Sequence, residues 1–392
     1  MIDKLSTKEC TLCGSCADAC PTGAISFKKE YLDFRYPQID GGKCVSCGLC
    51  EKVCPVLTAD GSALLGQPRA YAAKNPDDAI RRKSSSGGIF WALAKTVLDQ
   101  GGYVCGAVFD EDFRVYHSVS DKEADVRKMI GSKYAQSDLT GVYQKNKALL
   151  REGKVVLFTG CPCQVAALRS FLGGDHEKLF TADLICHGTP SNVMLRAYLD
   201  HQEKKHGSKV RTICFRDKKY GWHRSAVRIL FENGAEYCTP IGADAFMGGF
   251  LGGVYLKECC YECSFKHYRS GSDLTLGDFW GAEATRPELD DNTGLSAVLV
   301  HTAKGENLLH QCGSDVWTAE LEGVVRFNRN LVGPTKKNPD RDPFYAYAQT
   351  NGYVMAIEKK LAEPPLKKLR REGRYRLRCI LYALTGREKP LY

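Results

Sequence analysis

Cys10-Thr-Leu-Cys13-Gly-Ser-Cys16-Ala-Asp-Ala-Cys20-Pro21 is a run of four cysteines spaced C-x2-C-x2-C-x3-C and closed by a proline. The same spacing returns at Cys44, Cys47, Cys50, Cys54 and Pro55, displaced by 34 residues, so the segment is an internal duplication. Three thiolates separated by two residues each wrap one loop around three corners of a cubane cluster. The fourth, on a following turn of helix, reaches across to the other cluster. On that rule one 4Fe-4S cluster takes Cys10, Cys13, Cys16 and Cys54, and a second takes Cys44, Cys47, Cys50 and Cys20. Zinc and purely structural thiols are the alternatives, but structural zinc sites use two separated ligand pairs around one ion, not two identical four-cysteine runs. Residues 1–58 are therefore expected to form an α+β two-cluster domain, a one-electron wire.

The two runs hold eight of the 19 cysteines in a chain of 392 residues. The length favours two or three domains. With 43% hydrophobic and 26% charged residues, disorder and collagen-like repeats are excluded as the main content. An odd cysteine count fits poorly with a paired disulfide framework. MIDKLSTKEC has no basic region followed by an apolar stretch, so a reducing, cytoplasmic address is expected. The most apolar window, Ala245 to Leu256, has 12 residues and four glycines, short of the roughly 20 a membrane span needs.

The net charge of +9 raises nucleic acid as a partner, but its distribution argues against it. Residues 366–392 hold nine Lys/Arg against two Glu, net +7, so the other 365 residues carry only +2. A basic tail, taken as 346–392, suits docking to an acidic partner or a membrane surface. A solvated helix face is the plainer reading.

Residues 59–68 read as a linker, and a different texture starts at Arg69. Strand-like YVCGAVF, KVVLFTG and LFTADLIC alternate with helix-like GIFWALAKTVLDQG, LTGVYQKNKALLREG and CQVAALRSFLG. That alternation predicts an α/β body with a mainly parallel sheet, divided here into 69–190 and 191–345. SAVRILFENGAEYCTPI adds a hairpin turning at Asn233-Gly234, and SDLTLGDFWG and LSAVLVHT add strands.

Four places in this body look chemical. Ser84 to Gly88, just before an apolar helix, offers hydroxyls and free amides to a phosphate, or simply a serine-rich cap. Cys161 and Cys163 in GCPCQ stand where a strand turns into a helix, at the strand end where α/β sheets bind ligands. Cys186-His187-Gly188 follows the next strand. Cys259-Cys260-Tyr261-Glu262-Cys263 is a C-x2-C pair with an extra thiol in front. Together they could supply four thiolates to a third cubane cluster, with a redox disulfide at Cys260 and Cys263 or a zinc site as alternatives. Cys105, Cys214, Cys238, Cys312 and Cys379 stand alone and read as small hydrophobes.

Residues 1–58 resemble a bacterial two-cluster ferredoxin. GSKYAQS (131–137), GCPCQVAAL, CHGTPS, FRDKKYGW (215–222), CYECSF (260–265), LTLGDFWG (274–281) and GLSAVLVHTAKG, in this order, resemble the family of β-subunits of coenzyme F420 hydrogenases and dehydrogenases over about residues 69–335. The resemblance implies a flavin-binding body holding FAD beside a third 4Fe-4S cluster. Carried over by motif, that cluster would use Cys163, Cys186, Cys260 and Cys263. Flavin contacts would come from Ser85, Ser86, Gly87, Gly88, Ser132 and Lys133. Cys161 and Cys259 stand where the family pattern does not lead one to expect cysteine. Lys133, Arg216, Lys218 and His223 are candidates for steering an anion, and Asp278 for orienting a ligand; Trp222 and Trp280 read as core. The catalytic residues stay unassigned.

The expected function is an iron–sulfur flavoprotein oxidoreductase that passes electrons between 4Fe-4S clusters and FAD, with hydride transfer to or from coenzyme F420 or another small molecule. Its partner would be a ferredoxin-like carrier or another redox protein. Two alternatives are a non-catalytic electron-transfer adaptor of a larger redox complex, and a ferredoxin-linked reductase in cell-surface glycan metabolism.

Overall fold

The computed structural model describes residues 2, 5–58, 66–361, 369 and 373. Most of the expected linker and of the basic tail therefore lies outside the described residues. The chain divides into two compact units, one of residues 1–193 and 256–336, the other of 194–255 and 337–392.

In the first unit the N-terminal segment carries one antiparallel pair, β1 (Ile25–Tyr31) and β2 (Phe34–Ile39), between two single-turn helices, Ser15–Asp18 and Leu49–Lys52. The duplication is visible in the backbone. Leu12 and Ser46 have φ of 55° and 53°, and the helices start from left-handed Gly14 and Gly48, each pair 34 residues apart.

The body is one eight-stranded sheet, built from β3 (Arg69–Lys74), β4 (Tyr103–Phe109), β5 (Val115–Ser120), β6 (Val156–Gly160) and β7 (Leu179–Leu184) and, after the second unit, from three more strands. The second unit contributes β8 (Val210–Asp217), β9 (Ala226–Phe231) and β10 (Glu236–Pro240), which pair only among themselves. Back in the first unit, β11 (Leu274–Asp278), β12 (Ser296–Val300) and β13 (Asp315–Ala319) complete the sheet in the order β13-β3-β12-β11-β7-β6-β4-β5.

The expected mainly parallel sheet is in fact mixed. Only β4, β6, β7 and β11 run parallel to their neighbours in that group, while β5 at one end and β12, β3 and β13 at the other pair antiparallel. The physical reason is clearest at β4 and β5. Residues 110–114 join them, far too few for the crossover a parallel pair requires.

Period-two alternation gives the sheet two buried faces. Val104 and Leu157 pack under the helices Ile89–Asp99 and Ala303–Gln311. Cys105, Val156 and Phe158 face the helices Val142–Arg151 and Pro162–Leu172 on the other side. The N-terminal segment sits on this second face, where Cys13, Ala19 and Val53 join the same apolar cluster.

The expected hairpin forms as β9 and β10, with Gly234 at φ 84° and Ala235 N–H donating to Asn233 Oδ1. It is not an addition to the large sheet. Its own sheet, with β8, packs on an aromatic cluster of Tyr198, Phe215, Phe246, Tyr255 and Phe344 within the second unit. Among the described residues no helix is long and apolar enough to cross a membrane.

Candidate functional site

Cys10, Cys13, Cys16 and Cys54 are buried, and the thiols of Cys10 and Cys16 feel those of Cys13 and Cys54. Burial pushes the Cys10 thiol up to about 12 and raises Cys16 and Cys54 too, so none of these would ionise alone at neutral pH. Thiols gathered this way suit a cation that deprotonates them on binding. The other four cysteines differ in exposure. Cys20, Cys44 and Cys50 are half-buried and Cys47 is exposed. Cys20 Sγ accepts from Ala24 N–H at 3.3 Å, an interaction that favours the thiolate.

The N-terminal segment is fastened to the body by polar contacts around the first loop. Asp18 accepts from Gly141 N–H at 2.7 Å and Tyr143 N–H at 3.1 Å, the start of helix Val142–Arg151. Tyr143 Oη donates to Cys13 O at 2.8 Å, and Gln136 Nε2 to Leu12 O at 3.2 Å.

The body cysteines converge. β6 and β7 are adjacent and parallel, so GCPCQ and CHG both leave the carboxyl edge of the sheet. Cys161 starts helix Pro162–Leu172, its N–H donating to Gln164 Oε1 at 2.8 Å, with Cys163 in the first turn. Cys186 follows β7 by two residues, and Gly188 (φ 133°) lets the chain lie on the third segment. A Cβ there would meet Leu256 Cδ1 at 2.7 Å and Cys260 Cβ at 3.2 Å. One pocket is lined by Cys161, Cys163, Cys186, Cys259, Cys260 and Cys263. None of the described cysteines forms a disulfide.

These six thiols are not equivalent. A hydrogen bond with Cys161, and then the charge of Lys266, lower the Cys186 thiol, while Cys161 itself is raised. In the same way Cys259 and the charge of Lys257 lower Cys260. Burial raises Cys163, and carries Cys263 to about 11. Two lysines that the sequence did not single out, Lys257 and Lys266, are 1% and 6% exposed and line the same pocket. They bracket the cysteines in K-E-C-C-Y-E-C-S-F-K, a pattern visible in the sequence, though nothing local reveals that both are buried. The donor set fits an anionic iron–sulfur cluster: thiols in excess of four line one pocket, with buried cations to offset their charge.

At the expected flavin positions, two segments 47 residues apart meet. Ser85 and Ser132 lie Oγ to Oγ at 2.8 Å, and Ser132 N–H donates to Ser85 Oγ. Ser86 donates to Leu295 O and Gly87 N–H to Ser296 Oγ. Gly87 is held against β3 and β12, where a Cβ would lie 2.5 Å from Ala73 O. Gly88 is the left-handed residue before helix Ile89–Asp99, whose first N–H groups have no side-chain cap. Lys133 Nζ donates to the carbonyls of Lys128, Ile130 and Gly131, and so closes a turn beside this edge. Asp278 ends β11 of the same sheet. Arg216, Lys218 and His223 belong to the second unit, as does Trp222, which is fully buried; Trp280 is half-buried in the first.

Three family models match the chain. One described as 4Fe-4S dicluster domain matches residues 9–57. One for the N-terminal part of the coenzyme F420 hydrogenase/dehydrogenase beta subunit matches 70–144, and its companion for the C-terminal part matches 153–322. Among curated proteins, the F subunit of the F(420)H(2) dehydrogenase of Methanosarcina mazei is 27% identical over 303 residues, covering 72% of this chain and 80% of that one. Among solved structures, a chain of the F420-reducing NiFe hydrogenase complex from Methanosarcina barkeri is 19% identical, with a TM-score of 0.46, over 76% of this chain and 92% of its own.

Proposed function

The chain belongs to the family of coenzyme F420 hydrogenase/dehydrogenase beta subunits, with a 4Fe-4S dicluster domain at its N-terminus, and from that premise we propose an iron–sulfur flavoprotein oxidoreductase with three clusters and FAD. The observation that carries the reading is the convergence of Cys163, Cys186, Cys260 and Cys263 on one pocket against the loop of Cys10 to Cys16. In this assignment Cys10, Cys13, Cys16 and Cys54 hold the first cluster, Cys20, Cys44, Cys47 and Cys50 the second, and the four pocket thiols the third.

Iron–sulfur clusters exchange single electrons and a flavin converts these to a two-electron hydride, which is the chemistry the bound groups would supply. The protein's part is to place and shield them. Pairing with Cys186 and Cys260 raises the Cys161 and Cys259 thiols, which suits them to donate to the neighbouring ligand sulfurs, and Gly188 lets the Cys186 segment lie against Leu256 and Cys260. Ser85, Ser132 and the open N-terminus of helix Ile89–Asp99 suit the pyrophosphate of FAD, which has two anionic groups to satisfy. Ser86, Gly87, Gly88 and Lys133 fix the backbone that forms this edge. A reduced deazaflavin such as coenzyme F420 is the hydride partner proposed, and a ferredoxin-like carrier the one-electron partner.

Protein purified under argon should carry about 12 iron atoms per chain, as three cubanes require, together with bound flavin. About eight iron atoms and no flavin would overturn the assignment. The name of the Methanosarcina mazei relative, one component of a dehydrogenase, favours a second reading in which this chain is an electron-transfer component without turnover of its own. Dye-linked oxidation of reduced coenzyme F420 by the isolated chain separates the two; electron carriage without such turnover selects the second.

A further inference from the structure

Lys257 is 1% exposed, yet no carboxylate stands within 4.0 Å of its ammonium among the described residues. Its Nζ donates to Thr11 O and, at 2.6 Å, to Gln136 Oε1, and its backbone N–H donates to Thr189 O at 2.9 Å. An ammonium held in a dry site by neutral carbonyls alone is costly and should shed its proton. What surrounds it instead is sulfur. Cys163, Cys259 and Cys260 lie on one side, and on the other Thr11 belongs to the loop between Cys10 and Cys13, with Cys10 close enough to feel the charge.

Gln136 locks the arrangement. Its Oε1 takes Lys257 and Thr189 Oγ1, while its Nε2 donates to Leu12 O. The ammonium is therefore fixed at the seam between the first N-terminal loop and the six-thiol pocket. Neither Lys8 nor Lys266 duplicates it. Lys8 is paired with Glu262 at 2.9 Å on the surface, and Lys266 donates to Cys186 O and Asn330 O on the pocket side only.

We propose that Lys257 is a shared counter-ion for two redox centres, the one held by Cys10, Cys13, Cys16 and Cys54 and the one at the pocket of Cys163, Cys186, Cys260 and Cys263. This rests on the assignment of clusters to those two thiol sets. A cubane with four thiolates carries net negative charge that grows by one on reduction, so a fixed positive charge beside it favours the reduced state. One ammonium between two such centres raises both reduction potentials together. Lys257 is a positioning residue here: it binds no iron and passes no proton.

The test is a redox titration followed by electron paramagnetic resonance on the full chain, with signals assigned through Cys163→Ser and Cys47→Ser proteins. Lys257→Gln should lower the midpoint potentials of the first and the pocket centres by a tenfold change in each reduction equilibrium, about 59 mV for one electron, and leave the Cys47 centre in place. Lys257→Arg should keep both near the wild-type values. If Lys257→Gln protein fails to retain iron, Gln136→Glu supplies the same test by pairing the ammonium with a carboxylate, and should lower the same two potentials. The proposal falls if both potentials stay put, if only one moves, or if all three move alike. A wild-type chain with eight iron atoms and no pocket signal would also remove it, but through the cluster assignment. Twelve irons with unmoved potentials would remove it through Lys257 itself.

Discussion

His117 shows what a single side chain can report about this fold. It is fully enclosed, stacked on Phe158, with Nδ1 2.6 Å from Ser137 Oγ and Nε2 2.9 Å from Thr159 O. Burial lowers its pKa to about 4. The unfolded chain takes up the proton near pH 6.5 and the folded chain does not, so stability falls as pH drops from about 6.5 towards 4. The slope is at most ~1.4 kcal/mol per pH unit for one such group. Urea unfolding at pH 7, 6 and 5 should show a shallower dependence in His117→Gln, with His301, lowered by burial to about 4 as well, acting in the same direction. An unchanged slope would mean that His117 titrates normally in the folded chain. At this scale the sequence was most readable where ligand spacing is local. Cys10 to Cys54 declare themselves through repeated x2 and x3 gaps. Cys161 and Cys259 do not: Cys186 comes alongside Cys161 only through the fold, and nothing in the consecutive pair Cys259-Cys260 says which thiol faces the other segments.

Among the elements, helix Val142–Arg151 depends on a residue more than a hundred positions upstream. Its N-cap is Gly141, which has no side chain to offer, and Asp18 supplies the missing carboxylate to two of the first N–H groups. Asp18→Ala should cost about 1 kcal/mol in urea unfolding, with Asp18→Asn costing less, because an amide oxygen can still accept. An unaltered midpoint would show that water caps this helix equally well. The sequence pattern identified this helix, and the strands β4, β6, β7, β11 and β12, because their apolar periodicity is strong. It passed over β5 and β13. Val115–Ser120 has only two Val, at 115 and 119, among Tyr, His and Ser, and Asp315–Ala319 is an edge strand without a fully buried residue. Edge strands need little apolar content, so the pattern that marks a strand is weakest at the two edges of the sheet, β5 and β13. β12 was found, but apolar pattern does not report strand direction, and its antiparallel pairing with β11 and β3 was not legible.

At the scale of the whole molecule, the three proposed centres differ in shelter. Cys10, Cys13, Cys16 and Cys54 are buried, and the pocket thiols are at most half-buried, whereas Cys47 is exposed and flanked by Val45 and Leu49, which are 64% and 39% exposed. An oxidant such as ferricyanide with an iron chelator should therefore release about four iron atoms first, with loss of the Cys47-dependent signal, and the rest more slowly. Release of all iron with one rate constant would contradict the burial pattern. The two-unit division was not legible beforehand, since the second unit is formed from 194–255 and 337–392, segments that no local pattern joins.

That interruption has a consequence for biosynthesis. Cys163 and Cys186 leave the ribosome before the excursion into the second unit, and Cys260 and Cys263 after it. At the usual pace of translation, the roughly 77 residues from Cys186 to Cys263 take about 4 to 15 s to emerge. Through that interval the first two thiols wait without their partners, open to air or to a stray metal ion. On the cluster assignment proposed above, loading of the pocket follows the synthesis of Cys263, under conditions that keep half a site reduced until then.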